Sequence, residues 1–246
     1  MATLQVGFKS EQLQKETGIK VILPEKRAEN KPLSVLYLLH GFSGNEYSWC
    51  NQTSIQRYVQ YKNIAVIMPD AFNSFYTDMA CGVYNFRSYF INELMPFAAE
   101  SFNLSKSRED SFIAGLSMGG YGAFKIALLY PERFSAAASF SGCMDISRLV
   151  KESDFSAVFG NTLLNEEDLF YLAKTVAQSE VKPRLFQWCG TGDFLYNDNI
   201  KFKNHVEKLG FDYTYRQSQG THEWKYWDEQ VRKLFAWLGI HNNRKE

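Results

Sequence analysis

Residues 111–129 read Ser-Phe-Ile-Ala-Gly-Leu-Ser-Met-Gly-Gly-Tyr-Gly-Ala-Phe-Lys-Ile-Ala-Leu-Leu and contain the feature that decides the fold. Within them, Gly-Leu-Ser-Met-Gly (115–119) matches the pattern G-x-S-x-G, with an apolar run before it and a helix-forming run after it. A strand, a sharp turn and a helix around this pattern predict a nucleophile elbow. The two glycines permit the close backbone approach of such a turn. We therefore expect Ser117 to be a catalytic nucleophile, the alternative being an ordinary glycine-rich turn.

Near-continuous apolar runs predict the strands of a buried parallel sheet. These runs are 34–39, 64–68, 111–114, 136–140 and the more mixed 184–189. The alternating stretch 212–217 suits one edge of the sheet. Two N-terminal pieces, 4–8 and 19–23, suit antiparallel edge strands. Helical patterns fall between the strands, among them 84–102 and 227–238. This alternation predicts an α/β fold with a mostly parallel, doubly wound sheet and helices on both faces.

The chain of 246 residues predicts a single α/β domain over residues 1–246, without repeats or a low-complexity linker. The stretch 145–182 is longer than a simple crossover between strands needs. It contains a predicted helix over 166–177, with Asn165 as its N-cap and three acidic residues in its first turn. This excursion is interpreted either as a small cap over the active site or as a surface helix and loop.

A catalytic base and acid are expected beyond the carboxyl ends of later strands, in the chain order Ser, Asp, His. His222 lies in Gly-Thr-His-Glu-Trp (220–224), between the last strand and the last helix, where the base belongs. Asp193 lies in a glycine-rich turn directly after the strand ending at 189 and is the preferred acid; Asp145 is the alternative. His222 would take the proton of Ser117, and Asp193 would hold the imidazole tautomer.

An oxyanion hole requires two backbone N–H groups near the nucleophile. One is expected from Met118, the residue after Ser117. The other is expected from the loop His-Gly-Phe-Ser-Gly (40–44) after an early strand, where Phe42 is the best candidate. Both residues would act through the main chain.

The composition indicates a globular protein without a strong charge preference. Hydrophobic residues make up 45% of the chain and charged residues 22%, which argues against a disordered chain. Because 27 Lys and Arg balance 27 Asp and Glu, we expect no attraction to nucleic acid or to an anionic membrane. No apolar run is long enough to cross a bilayer.

The cysteines and the N-terminus favour a reduced, cytoplasmic protein. No pair of cysteines has C-x-x-C spacing, and residues 1–9 lack the basic stretch and apolar core of a signal peptide. An intracellular compartment is the default for such a chain. No metal or cofactor is expected, because a serine activated by a base supplies its own nucleophile. The oligomeric state stays open, a homo-oligomer included.

Four stretches carry a family resemblance. They are Leu-Leu-His-Gly-Phe-Ser-Gly-Asn (38–45), Ile-Ala-Gly-Leu-Ser-Met-Gly-Gly-Tyr-Gly-Ala (113–123), Trp-Cys-Gly-Thr-Gly-Asp-Phe-Leu-Tyr (188–196) and Gly-Thr-His-Glu-Trp (220–224). Together they closely resemble bacterial tributyrin esterases of the esterase D group, which also includes S-formylglutathione hydrolases. The resemblance spans residues 33–238 and implies an α/β-hydrolase fold. The triad of that group falls on the serine, aspartate and histidine already selected by position.

The resemblance implies hydrolysis of short-chain acyl esters through an acyl-enzyme, with small-molecule esters as substrates. The alternatives are an S-formylglutathione-type thioesterase, a carbohydrate acetyl or feruloyl esterase, acyl transfer to another acceptor, and a non-catalytic domain. Tyr121 stands where S-formylglutathione hydrolases usually carry a histidine, which weakens the thioesterase interpretation. Residues flanking the motif loops are candidates for substrate contact, with core packing as the competing interpretation; they are Trp49, Cys143, Leu195 and Trp224.

Overall fold

The computed structural model describes residues 1–25 and 31–242. Within these residues one sheet of eight strands forms the centre of the molecule. The strands are β1 (Ala2–Ser10), β2 (Lys15–Leu23), β3 (Ser34–Leu39), β4 (Ile64–Pro69), β5 (Ser111–Leu116), β6 (Ala136–Phe140), β7 (Arg184–Gly190) and β8 (Tyr213–Ser218). Their order across the sheet is β1-β2-β4-β3-β5-β6-β7-β8.

The sheet is mostly parallel, as predicted. Strands β3 to β8 run parallel to their neighbours, whereas β1 and β2 are antiparallel additions at one side. The prediction of edge strands holds for β1 and β8. It is wrong for β2, which pairs with both β1 and β4. The last three residues of β2, Val21–Leu23, are all buried, and a strand buried in this way needs neighbours on both sides.

Helices cover both faces of the sheet. They are α1 (Ser48–Gln52), α2 (Ile55–Val59), α3 (Phe86–Tyr89), α4 (Met95–Phe102), α5 (Met118–Leu129), α6 (Ser156–Phe159), α7 (Leu169–Val176), α8 (Tyr196–Val206) and α9 (Trp224–Trp237). One apolar core includes buried residues of α3, α5, α7 and α8, and a second includes those of α1, α2 and α9. The architecture is that of an α/β hydrolase. Within the described residues, none of the helices combines the length and apolar character needed to cross a bilayer.

The helical pattern predicted over 84–102 is one continuous helical path from Phe86 to Phe102. A π-helical stretch, Phe90–Leu94, joins α3 to α4. Its buried residues, such as Phe90 and Leu94, pack against the sheet, which explains the amphipathic pattern.

The excursion 145–182 contains short helical turns followed by α7. The predicted N-cap Asn165 is wrong: α7 begins after Asp168, whose carboxylate accepts hydrogen bonds from the N–H groups of Phe170 (2.8 Å) and Tyr171 (3.4 Å). The physical reason is that Glu167 turns inward and pairs with a buried lysine instead of occupying a first turn.

Candidate active site

Ser117 lies at a sharp turn between β5 and α5. Its backbone has φ 53° and ψ −120°, a conformation that is costly for a residue other than glycine. The surrounding main chain holds it there: the Ser117 N–H donates to Phe140, and the Ser117 carbonyl accepts from Tyr121 and Cys143, all at 3.0–3.2 Å. Such a fixed, strained serine has the geometry of a nucleophile elbow.

Two glycines make this turn possible. A Cβ on Gly115 would lie 2.3 Å from the carbonyl oxygen of Gly119, and a Cβ on Gly119 would lie 2.5 Å from the carbonyl oxygen of His40. Both obstacles are backbone atoms, which cannot move aside as a flexible side chain can. The elbow therefore packs main chain against main chain where β3 ends.

His222 and Asp193 face each other from the loops after β8 and β7. The His222 Nδ1 lies 2.9 Å from Asp193 Oδ2 and 3.1 Å from Oδ1, so the protonated Nδ1 donates to the carboxylate. Burial alone would raise the pKa of Asp193, but the hydrogen bonds from His222 and from the Leu195 N–H lower it below its ordinary value. The carboxylate is thus ionised and orients the imidazole.

Aromatic rings hold the imidazole from two sides. The ring of Phe194 lies 4.5 Å from that of His222, and the indole of Trp227 lies 4.8 Å away in an edge-on arrangement. The Trp227 N–H in turn donates to the Ser141 hydroxyl at 3.2 Å. These contacts leave the imidazole little rotational freedom.

Ser117 and His222 line the same open cavity of about 540 Å³, which we call the Ser117 cavity. Its wall combines aromatic rings and side-chain amides, among them Phe42, Asn45, Asn51, Gln52, Phe194, Trp224 and Trp227. Apart from His222, the residues that line this cavity in the described part of the chain carry no acidic or basic side chain. Such a surface suits an uncharged molecule with both apolar and hydroxyl groups.

The loop after β3 passes close to Ser117 at Gly41. Gly41 lies against Ser117, because a Cβ added to it would be 3.3 Å from the Ser117 Cβ. The Gly41 carbonyl accepts hydrogen bonds from the His40 Nδ1 at 2.7 Å and from the Gly44 N–H at 3.1 Å. In a trans peptide the N–H points opposite to the carbonyl. The Phe42 N–H is therefore directed away from the His40 ring and the Gly44 N–H.

His40 is a structural histidine and not a second base. Its Nε2 accepts a hydrogen bond from the Ala71 N–H at 3.0 Å, which leaves the proton on Nδ1 to be donated to Gly41. The imidazole is buried, and this burial lowers its pKa, although the Gly41 carbonyl and Asp70 oppose the shift. The His40 ring must be neutral, because its Nε2 can accept a hydrogen bond only when it carries no proton.

The structure places the four candidate substrate residues differently. Trp224 lines the Ser117 cavity. Trp49 is buried, and its indole N–H donates to the Leu39 carbonyl at 2.9 Å. Cys143 and Leu195 are also buried, and they contact the site through backbone N–H groups, to Ser117 and Asp193 respectively. Trp49, Cys143 and Leu195 are not among the residues that line the cavity.

The alternative acid, Asp145, lies elsewhere. Its carboxylate accepts from the N–H and hydroxyl of Ser147 and lies 3.9 Å from Lys201. Sequence reasoning missed Phe194 and the amides Asn51 and Gln52. Phe194 follows the proposed acid directly, a signal that could have identified it. The amides on α1 carry no such signal, because only the packing of α1 against the rest of the fold brings them to the cavity.

No cluster of three or more His, Cys, Asp or Glu side chains suited to a metal ion occurs in residues 1–25 and 31–242.

Comparison with known proteins identifies the family. The family model described as "Putative esterase" matches residues 10–238. The chain belongs to this esterase family. It is a carboxylic ester hydrolase of the serine esterase type. An acetyl esterase from Caldicellulosiruptor saccharolyticus is 31% identical, over 97% of this chain and 98% of the relative.

Solved structures agree with this assignment. The substrate-bound fluorophosphonate-binding serine hydrolase FphF of Staphylococcus aureus superposes with a TM-score of 0.88 at 35% identity, covering 96% of this esterase and 98% of that chain. An S-formylglutathione hydrolase, FrmB, of the same species gives a TM-score of 0.86 at 34% identity with the same coverage. A ferulic acid esterase at 22% identity shares the fold, with a TM-score of 0.83.

Proposed function

We propose that this esterase hydrolyses short-chain acyl esters of neutral alcohols, of the acetyl-ester and tributyrin type, with Ser117 as nucleophile, His222 as general base and Asp193 as the acid that orients it. The observation that carries the proposal is the hydrogen bond of 2.9 Å between His222 and Asp193, next to a serine on a strained elbow in the same cavity. This is the set of roles that nucleophilic acyl transfer requires.

The reaction proceeds in two stages. His222 removes the proton of the Ser117 hydroxyl as the oxygen attacks the ester carbonyl, and the Phe42 and Met118 N–H groups stabilise the resulting oxyanion. The alcohol leaves with the proton from His222, and the acyl group stays on the serine. His222 then activates water, which hydrolyses the acyl-enzyme and regenerates the free hydroxyl.

The test compares the wild-type protein with Ser117→Ala on nitrophenyl acetate and butyrate. We expect a burst of nitrophenol from the wild type, stoichiometric labelling of Ser117 by a fluorophosphonate, and loss of both in the variant. Wild-type turnover by Ser117→Ala would rule out the assignment.

Thioester hydrolysis is the second candidate, because a structural neighbour at 34% identity is named an S-formylglutathione hydrolase. The uncharged lining of the Ser117 cavity favours a neutral leaving group over glutathione, which carries several charged groups. Measuring kcat/KM for S-formylglutathione and for phenyl acetate on one preparation separates the two. We expect the oxygen ester to be preferred.

We also propose a reducing, cytoplasmic location. The four cysteines, Cys50, Cys81, Cys143 and Cys189, are all unpaired, as is usual for proteins of reducing compartments. Localisation of the tagged protein by cell fractionation tests this.

A further inference from the structure

Four phenylalanines form a continuous cluster beside the Ser117 cavity, which we call the aromatic wall: Phe42, Phe75, Phe155 and Phe159. Phe42 lines the cavity, and its ring centroid lies 6.2 Å from that of Phe75 and 6.0 Å from that of Phe155. Phe75 also contacts Phe155 at 5.7 Å and Phe159 at 5.2 Å. The wall thus contains residues from the loop 40–44 after β3, the loop after β4 and the excursion 145–182.

The positions that the parts of a bound ester must occupy place its acyl chain against this wall. The leaving alcohol must lie near His222, which protonates it, and the oxyanion must lie at the backbone N–H groups of Phe42 and Met118. The acyl chain is the remaining substituent of the carbonyl carbon and points away from His222. The Phe42 ring, which lines the Ser117 cavity and contacts Phe155, offers it an apolar surface.

A buried ion pair holds the wall in place. Lys125, two helical turns after Ser117 on α5, is fully buried, and its Nζ lies 2.6 Å from the Oε2 of Glu167 in the excursion. The same ammonium group donates to the Phe75 carbonyl at 3.1 Å and to the Thr77 hydroxyl at 2.5 Å. One side chain therefore ties the nucleophile helix to both segments that supply the rings behind Phe42.

Tyr121 and the main chain reinforce this attachment. The Tyr121 hydroxyl lies 2.7 Å from the Glu167 carbonyl oxygen and 2.9 Å from its carboxylate, and its ring packs on Phe75 at 5.9 Å. The N–H groups of Ala80 and Cys81 donate to the carbonyls of Val158 and Ala157, both at 3.0 Å. The excursion is thus fastened next to the wall at several points.

We propose that the aromatic wall sets the upper limit of acyl-chain length, with Phe155 as the determining residue and the Lys125–Glu167 pair as the positioning element. This inference rests on the proposed esterase function. Phe155 is half-buried and is the one ring of the excursion in contact with Phe42 among the described aromatic pairs. Its removal opens space behind the Phe42 ring without touching Ser117, His222 or Asp193.

The experiment measures kcat/KM for nitrophenyl acetate, butyrate, hexanoate and octanoate in the wild type, Phe155→Ala and Phe170→Ala. Phe170 is the matched control, because it is also a half-buried phenylalanine of the excursion but packs on Phe202 and His205 of α8. We expect the octanoate-to-butyrate ratio to rise about tenfold or more in Phe155→Ala, since even one methylene in an apolar pocket changes selectivity by roughly 10-fold. The ratio stays at the wild-type value in Phe170→Ala.

The positioning role is tested with Glu167→Gln and with the double variant Lys125→Met/Glu167→Leu, assayed well below their melting temperatures. We expect the double variant to shift the octanoate-to-butyrate ratio in the same direction as Phe155→Ala, and the conservative Glu167→Gln to shift it less. A purely structural pair would lower the melting temperature and leave the ratio unchanged, which would overturn the positioning role.

Suppose that a folded Phe155→Ala protein still hydrolyses acetate but keeps the wild-type octanoate-to-butyrate ratio. This result would overturn the role of the aromatic wall and leave the esterase proposal standing. Phe155→Leu repeats the test with a smaller loss of packing, if the alanine variant does not fold. Absence of wild-type turnover on acetate and butyrate would instead remove the esterase proposal, and this inference with it.

Discussion

The imidazole Nδ1 of His40 lies 2.7 Å from the carbonyl oxygen of Gly41, and this contact fixes the orientation of the peptide that carries the Phe42 N–H. The neighbouring Ala71 N–H holds the other side of the ring at 3.0 Å. A side chain outside the proposed triad thereby orients one of the two proposed oxyanion donors. Its effect on the reaction runs entirely through the main chain.

Replacing His40 should lower kcat and leave KM nearly unchanged. An oxyanion donor acts mainly in the transition state, and losing one costs about 10²–10³ in kcat. We expect a fall of roughly 10²-fold for His40→Ala and a smaller fall for His40→Asn, whose amide can donate near the Nδ1 position. Steady-state kinetics on nitrophenyl butyrate provide the measurement. Equal losses in both variants, or a change confined to KM, would contradict this positioning role.

Asp193→Asn should abolish most activity in a folded protein. An amide at this position favours the wrong imidazole tautomer, an effect of about 10⁴ in kcat in serine hydrolase triads. Asp145→Asn is the matched control, because Asp145 also follows a strand of the sheet but bonds to Ser147. We expect wild-type kcat in the control. A large loss in Asp145→Asn with little change in Asp193→Asn would reverse the assignment of the acid.

The same carboxylate makes stability depend on pH in the acid range. The pKa of Asp193 is lowered in the folded state from an unfolded value of 3.8, so its ionisation stabilises the fold at pH above that value. The contribution is lost as pH falls through the lowered folded pKa. Urea unfolding at pH 7, 4 and 3 should therefore show a wild-type advantage over Asp193→Asn that shrinks with acidity. An advantage that grows toward pH 3 would mean that the folded pKa is raised.

Gly119→Ala should destabilise the protein severely. The added Cβ would meet the carbonyl oxygens of His40 and Leu39 at 2.5 and 2.6 Å, and overpacking against such atoms costs about 3 kcal/mol or more. Gly7→Ala is the control, because the nearest atom to its Cβ is the Thr17 carbonyl oxygen at 3.9 Å. Urea denaturation should place the control within about 0.5 kcal/mol of the wild type. Equal stability of the two variants would refute the close contact at the elbow.

Thiol reagents should leave the esterase active. Cys81 is exposed, whereas Cys143, next to the elbow, is buried, and this burial raises its pKa to about 12. At pH 8 we expect one thiol of the native protein to react rapidly with DTNB, and Cys81→Ser to remove this phase. Iodoacetamide should not reduce turnover. Rapid inactivation with alkylation of Cys143, identified by peptide mapping, would contradict this.

The sequence predicted the sheet and the elbow well because their signals are local. An apolar run identifies a buried strand, and the G-x-S-x-G pattern together with the apolar run before it and the helical run after it predicts the turn. The loops of His222 and Asp193 followed from a general rule on where strands present their carboxyl ends. The structure brings both loops together as that rule requires.

The remaining features depend on partners far apart in the chain. Lys125 belongs to a helical pattern that does not indicate burial, and its partner Glu167 lies 42 residues away. The acidic residues after Asn165 fit the first turn of a helix by composition, so the sequence predicts that the helix starts there. The pairing of Glu167 with Lys125, which places the start of α7 at Leu169, is visible only in the tertiary structure. Trp49 and Leu195 flank motif loops, but sequence distance does not show whether a side chain points to the cavity or to the core.

The order of strands across the sheet has a consequence for synthesis of the protein. Ser117 follows the central strand β5, whereas His222 follows β8, the eighth of the described strands, which lies at one edge of the sheet. A nascent chain that lacks residues 213–242 already contains Ser117 but not His222, the proposed base. The acyl chemistry we propose thus becomes available only after His222 has been synthesised, and truncation products that end before it should be inert toward cellular esters.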